Sequence, residues 1–329
     1  MLTSRTPLRV SFFGGGTDYP EYFLRHPGAV LGTSIDKYIY ISALRLEPFV
    51  GYGYRLSYRI NEDVDAIADI RHPVFRAVFG DCSMERGWNF GVLSSLPSGS
   101  GLGSSSSFTV GLLKLISHMR GDGITRYDLA TKAIRIEREV LKENVGIQDH
   151  LHAAFGSLNR YDFSGERFTI TPIRLHSEVR NVLNRSMYLV HTGIARYASE
   201  TVQEQIGNTS ARRIDKPLSH LYDLTRAATE LLEGTDAPSV LEELGRMLDD
   251  GWRIKRSLAK AVSTPEIDAI YATLMASGAL GGKLCGAGGG GFLLALVPED
   301  RRAQVQAALG ERALIPIRMD ESGATVMAG

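Results

Sequence analysis

Apolar and polar positions along the chain change period several times, and each change marks an element. The stretches LRVSFF (8–13) and AVLGTSIDKYIYISALRL (29–46) are rich in β-branched and aromatic residues with runs of period-two alternation, which predicts strands. YRLSYRI (54–60), following VGYG, reads as the return of a hairpin, and WNFGVLSSL (88–96) as a further strand. The period then lengthens. Phe108, Leu112, Leu115, Ile116 and Met119 recur at helical spacing, so the glycine and serine run before them opens a helix and is not a linker. A second helix is predicted over 127–142, and GSLNRYDF with RFTITPI as a hairpin. The later pattern opens on the strand SMYLVHT. Helices follow near 197–209, 216–233, 238–259 and 265–276, then the strand GFLLALV, a helix and the strand ALIPIRM.

A strand-rich first half and a helix-rich second half indicate an α+β protein in two lobes. The polar segment 176–184 is the expected connection, giving units of 1–175 and 176–329 in this 329-residue chain. Lys plus Arg and Asp plus Glu number 37 each, so no net field favours nucleic acid or an anionic membrane as partner. A small-molecule substrate is expected, and self-association is left open. The only cysteines, Cys82 and Cys285, are too few for a disulfide framework and fit a reducing compartment. The first residues show no apolar leader, and no apolar run approaches the roughly 18 residues of a membrane span. These readings predict a soluble, cytoplasmic protein.

Three glycine-rich places carry candidate chemistry. PSGSGLGSSSSF (97–108) puts glycines and serines at the head of a helix, where converging amides and the positive end of the dipole favour a phosphate. Its serines either cap the helix or ligate magnesium beside that phosphate. The loop lacks the lysine of GxxxxGK[ST], so it is not the common P-loop. CGAGGGGFLLALV (285–297) contains a formal GxGxxG, but a strand pattern follows it where a dinucleotide fold needs a helix. A close backbone approach to ligand or to the first lobe is expected there instead. In RTPLRVSFFGGGTDYPEYF (5–23), Asp18 past a strand end is either a turn residue or a carboxylate gripping sugar hydroxyls.

Two other acids stand out. Within the 127–142 helix, Glu137 falls inside the stripe of Ala130, Ala133, Ile134 and Leu141. A carboxylate on a buried face needs a partner, either magnesium or a buried salt bridge. Asp149 in VGIQDHLHAAFG is open to two readings, helix cap or catalytic acid.

The motifs RTPLRVSFFGGGTDY, PSGSGLGSSSSF and KLCGAGGGGF, in this order, resemble those of the galactokinase, homoserine kinase, mevalonate kinase and phosphomevalonate kinase (GHMP) superfamily. The resemblance implies an N-terminal lobe like ribosomal protein S5, a ferredoxin-like C-terminal lobe, and ATP meeting its acceptor between them. It implies ATP and Mg2+ as cofactors. Phosphate binding would fall on Pro97, Ser98, Gly99, Ser100, Gly101, Leu102, Gly103, Ser104, Ser105 and Ser106. Magnesium would fall on Ser104 or Ser105 with Glu137. Asp149 would remove the acceptor proton, with Arg9 beside it. Within the superfamily, FFGGGTDYPEYF and LVHTGIARYASE most resemble bacterial kinases that phosphorylate the anomeric hydroxyl of D-glycero-D-manno-heptose 7-phosphate.

The sugar side is expected at Gly15, Gly16, Thr17, Asp18 and Tyr19, at Thr192, Gly193 and Arg196, and at Gly286, Ala287, Gly288 and Gly289. Galactokinases carry Glu-His where this chain has Gly15 and Gly16, which disfavours galactose. Arg196 is read either as a phosphate contact or as a solvated arginine, and Lys283 is a second candidate for the phosphate. His150 and His152 diverge on a helix, which argues against zinc, and Cys285 reads as a packed residue. The YGYRLSY aromatics read as a hairpin face or an adenine wall. Alternatives to the heptose kinase are an anomeric kinase for fucose or an N-acetylhexosamine, a non-catalytic sugar sensor on the same scaffold, and a dinucleotide-dependent oxidoreductase.

Overall fold

The computed structural model describes residues 1–194, 198–234 and 236–328. Its first sheet is built on two long strands, β1 (Leu2–Phe13) and β2 (Gly28–Arg45), which pair antiparallel along their length. After α1 (Pro20–Phe23) closes the first turn, β2 is long enough to serve two neighbours. The chain adds β3 (Tyr54–Ser57), β4 (Asn61–Val64), α2 (Pro73–Asp81) and β5 (Trp88–Ser94) on one side. Helices α3 (Ser104–Arg120), α4 (Arg126–Arg135) and α5 (Gln148–Phe155) precede β6 (Leu158–Ser164) and β7 (Arg167–Pro172). The carboxyl half of β2 pairs with β5 and its amino half with β6.

The second sheet has the order β11-β8-β10-β9, all antiparallel. It is made by β8 (Met187–His191), β9 (Gly281–Leu284), β10 (Phe292–Leu296) and β11 (Leu314–Pro316). Around it lie α6 (Ser177–Ser186), α7 (Ala198–Ser210), α8 (Asp215–Leu232), α9 (Ala237–Arg256), α10 (Pro265–Ala276) and α11 (Arg302–Leu309). The architecture is α+β in two lobes, as the periodicities imply. The last strand, β12 (Thr325–Ala328), returns to pair with β1, so the two sheets do not divide the chain at one point. One apolar core runs from the first sheet into Met187, Leu189, Phe292 and Leu294 of the second, which fixes the lobes against each other.

Several local expectations need correction. The segment read as a connection is helix α6, which buries only Val179, Leu183 and Ser186. So narrow a stripe leaves most of the segment polar. The strand at 54–57 does pair in a hairpin, but with β4 after it, and on its other edge it runs parallel to β5. The 127–142 helix ends as α-helix at Arg135 and continues as a π-turn, Ile136–Val140. Helix α2 and strand β9 are additional to the elements expected. Strand β9, Gly-Gly-Lys-Leu, is too short for alternation to show.

Candidate active site

The serine and glycine run ends where α3 begins. Gly99, Gly101 and Gly103 hold φ of 70, 76 and 75°, a left-handed backbone open to glycine at little cost. The turn is tight as well as left-handed. A Cβ on Gly101 would lie 2.6 Å from the Cys285 carbonyl oxygen. The expected close approach of the third glycine motif is therefore made to this loop, and Phe292 N donates to Ser100 O at 3.3 Å. Free amides at the head of a 17-residue helix then face an open cavity lined by Gly101, Gly103, Ser104, Ser105 and Ser106.

Arg9 and Asp149 meet beside that loop. Arg9 Nε donates to Asp149 Oδ1 at 2.8 Å and Nη2 to Oδ2 at 2.9 Å, a forked pair that fixes both side chains. Nη1 donates to Gly101 O at 2.7 Å, and the Arg9 amide to Leu102 O at 3.1 Å, so strand β1 and the loop are tied together. Asp149 lies in the first turn of α5, but its carboxylate goes to Arg9 and no side chain caps the helix. The geometry thus removes the capping reading.

Asp18 is completely buried, accepting from Gly16 N at 3.0 Å and Gln148 N at 3.4 Å. Burial pushes its pKa up, the backbone donors oppose that, and nearby Asp149 adds to the rise. It shares the cavity of about 190 Å³ with Arg9, Asp149, Gly15, Gly16 and Tyr19. Two lysines complete the wall, Lys255 from the end of α9 and Lys283 from β9.

Glu137 is fully buried, as the apolar stripe requires. The π-turn aims it between α3 and α5. Thr109 Oγ1 donates to Oε1 at 2.5 Å, Ser106 Oγ to Oε2 at 3.0 Å, and His150 Nε2 lies 2.9 Å from Oε2. Burial opposes charge on both partners, but their mutual attraction outweighs it, holding Glu137 below and His150 above their ordinary values. Of the two readings left open, the buried ion pair is what the side chains form. The carboxylate stands one layer behind the cavity wall, with Ser106 in front of it.

A second cavity of about 490 Å³ lies on the other side of the loop. Tyr58, His72 and Phe108 wall it with Leu96, Pro97, Ser98 and Gly99. His72 sits 4.7 Å from the Tyr58 ring and 5.0 Å from Phe108, and Glu62 accepts from Tyr58 Oη at 2.6 Å and His72 N at 3.1 Å. Of the YGYRLSY aromatics, Tyr58 reaches this wall, while Tyr54 packs in the core.

Some expected residues stay outside both cavities. Thr17 Oγ1 donates to the carbonyls of Gly14 and Ala29 at 2.8 and 2.9 Å, and is a staple of its turn. Thr192 Oγ1 donates to Gly291 O at 2.9 Å. Gly288 and Gly289 pack on Val262, and Gly193 borders neither cavity. Ser100 and Leu102 are buried beneath the loop, whereas Gly286 and Ala287 reach the first cavity. Arg196 lies outside the described residues. Lys255, His72 and Gln148 are additional to the residues read from the sequence, and Phe108, read as part of a helical stripe, also walls the second cavity. Lys255 could have been found as Glu137 was, because it continues the buried stripe of Leu241, Leu244 and Leu248 at helical spacing.

Comparison with known proteins adds independent findings. The family description "GHMP kinases N terminal domain" matches residues 70–157, and "GHMP kinases C terminal" matches 229–314. The chain is 28% identical over 318 residues to a D-glycero-alpha-D-manno-heptose 7-phosphate kinase of Campylobacter jejuni, covering 94% of this chain and 93% of that one. It is 25% identical over 336 residues to a galactokinase of Pyrococcus furiosus, covering 94% and 92%. The crystal structure of a D-glycero-D-manno-heptose 1-phosphate kinase from Bacteroides thetaiotaomicron superposes with a TM-score of 0.81 at 21% identity, covering 100% and 99%. No helix among the described residues is long and apolar enough to cross a membrane.

Proposed function

The chain belongs to the GHMP kinase family, and from that premise we propose that it transfers the γ-phosphoryl group of ATP to the anomeric hydroxyl of D-glycero-D-manno-heptose 7-phosphate. One observation carries the reading. Ser104 and Ser105 line both cavities, so a ring-walled chamber and one rich in charged side chains meet at the head of α3. Adenine fits the ring-walled chamber, the polyphosphate lies across the helix head, and the sugar fits beside Asp18 and Asp149.

The steps follow from the side chains. Arg9 holds Asp149 in one orientation through the forked pair. Asp149 accepts the proton of the attacking hydroxyl. As the oxygen bonds to the γ-phosphorus, the bond to the β–γ bridging oxygen breaks and ADP leaves. An anomeric hydroxyl is more acidic than an ordinary alcohol, so positioning and charge matter more than the strength of the base. Asp18 accepts from sugar hydroxyls. Its buried negative charge is tolerated because the Gly16 and Gln148 amides point at it.

For magnesium, the donors that line the wall are the hydroxyls of Ser104 and Ser105, and the buried carboxylate behind Ser106 adds negative potential. These fit an ion that takes most of its ligands from nucleotide phosphates and water. When bound, it would offset polyphosphate charge. Glu137 orients Ser106 and Thr109 in this scheme and is not itself the first ligand.

The test is purified protein offered ATP with a panel of free and phosphorylated sugars, with ADP release as the readout and product phosphorus spectra to locate the new ester. The highest kcat/KM is expected for the manno-heptose 7-phosphate, with a new signal for an anomeric phosphate. ADP release with no sugar of the panel would overturn the proposal.

A further inference from the structure

Lys255 and Lys283 are an anomaly in the first cavity. Each is only 6% exposed, and among the described residues neither makes an ion pair. Burying an ammonium without a countercharge costs several kcal/mol. Their partners are neutral carbonyls. Lys255 Nζ donates to Leu284 O at 2.8 Å and Gly286 O at 2.5 Å, and Lys283 Nζ to Phe12 O at 3.1 Å. An ammonium has three N–H donors, so one remains on Lys255 and two on Lys283. Both side chains line the cavity that holds Asp18.

We propose that Lys255 and Lys283 together form the receptor for a phosphate monoester carried by the acceptor sugar, the group that distinguishes a sugar phosphate from a free sugar. The inference rests on the reading of the chain as a sugar-phosphate kinase. Three arguments support it.

The first is charge. Among the described residues the cavity is lined by three basic side chains, Arg9, Lys255 and Lys283, against two carboxylates, Asp18 and Asp149, and Arg9 is already paired to Asp149. Burial lowers the pKa of Lys283 to about 8, and burial with repulsion from Lys283 holds Lys255 well below its ordinary value. Cys285 and Asp18 oppose these shifts, Arg9 reinforces them, and no described group neutralises the lysines. A dianion would.

The second argument is position. Lys283 Nζ donates to the carbonyl of Phe12, at the end of the strand that leads into the turn carrying Asp18, and Lys255 Nζ to the carbonyls of Leu284 and Gly286 beside it. The receptor is therefore on the sugar's side of the cavity. The third is rigidity. Lys283 stands on a paired strand, Lys255 on a 20-residue helix, and α9 and β9 touch backbone to backbone where Gly281 meets Gly245. Two ammoniums held this way meet an anion without ordering flexible side chains, which lowers the entropic cost of binding.

The experiment compares Lys255→Met and Lys283→Met with wild type on two acceptors, a sugar phosphate that the wild type turns over and the same sugar without its phosphate. Binding of the sugar phosphate to nucleotide-free protein is measured alongside by calorimetry. Each variant is expected to lose on the order of 10²-fold in affinity for the phosphorylated acceptor, with the preference for phosphorylated over free sugar falling as far. Each is also expected to melt at or above the wild-type temperature, because an unpaired buried charge has been removed. Equal losses on both acceptors would overturn the inference, since the lysines would then serve the transferred phosphoryl group. So would an unchanged preference in both variants. Wild-type protein that phosphorylates free sugars but neither binds nor turns over any sugar phosphate would overturn this inference and the assigned substrate together.

Discussion

The cavity on the Asp149 side of the phosphate loop is walled by charge, with Arg9, Asp18, Asp149, Lys255 and Lys283 in one wall; the cavity on the other side is walled by Tyr58, His72 and Phe108. Among the described residues, only Ser104 and Ser105 belong to both. The difference assigns the work. A ring-lined chamber gains by stacking a flat base. The charged chamber has a forked Arg–Asp pair, a buried carboxylate and free ammonium donors, which suit a hydroxylated anion and its deprotonation. In the proposed scheme the chemistry falls at the seam, where glycines bring amides toward both chambers.

The comparison breaks most severely on the charged side. Asp149→Asn is expected to lower kcat on the order of 10²- to 10⁴-fold, because the proton acceptor is lost while the Arg9 contact is partly kept. The KM for ATP is expected to stay near wild type, and steady-state kinetics with both substrates varied will show it. A comparable rise in the KM for ATP would mean that the chambers are not separate in function. On the apolar side, Tyr58→Ala is expected to raise the KM for ATP about 10-fold, in line with the loss of one aromatic stacking partner. The acceptor KM should not follow. A shift in the acceptor alone would reverse the assignment of the two cavities.

Much of the charged chamber was legible in the sequence because its residues lie in compact motifs. Asp18 and the 97–106 loop are marked by a strand end and a glycine run, Glu137 by a charge on an apolar stripe, and Arg9 and the catalytic reading of Asp149 only by the resemblance of the motifs around them. What was hidden lies where a local pattern carries two meanings. Lys255 occupies the same kind of stripe as Glu137, but it ends a helix in Arg253, Lys255 and Arg256. Basic residues are favoured by the dipole at a helix C-terminus, so the last turn looks solvated. The partnership of His150 with Glu137 depends on a π-turn that alters the helical phase between them. The aromatic chamber depends on β3 lying parallel to β5, a pairing between segments with a helix between them. Alternation within β3 could not announce it. Helix α6 is hidden for the opposite reason, a stripe too narrow to outweigh its polar residues.

The central claim is that the polyphosphate of ATP crosses the head of α3 between the two chambers. A crystal structure with a non-hydrolysable ATP analogue tests it most directly. The account predicts β- and γ-phosphate oxygens within hydrogen-bond distance of the Gly103 to Ser106 amides, the base against Tyr58 and His72, and the γ-phosphate turned toward Asp149. A triphosphate bound away from this helix head, with the loop amides unengaged, would contradict it.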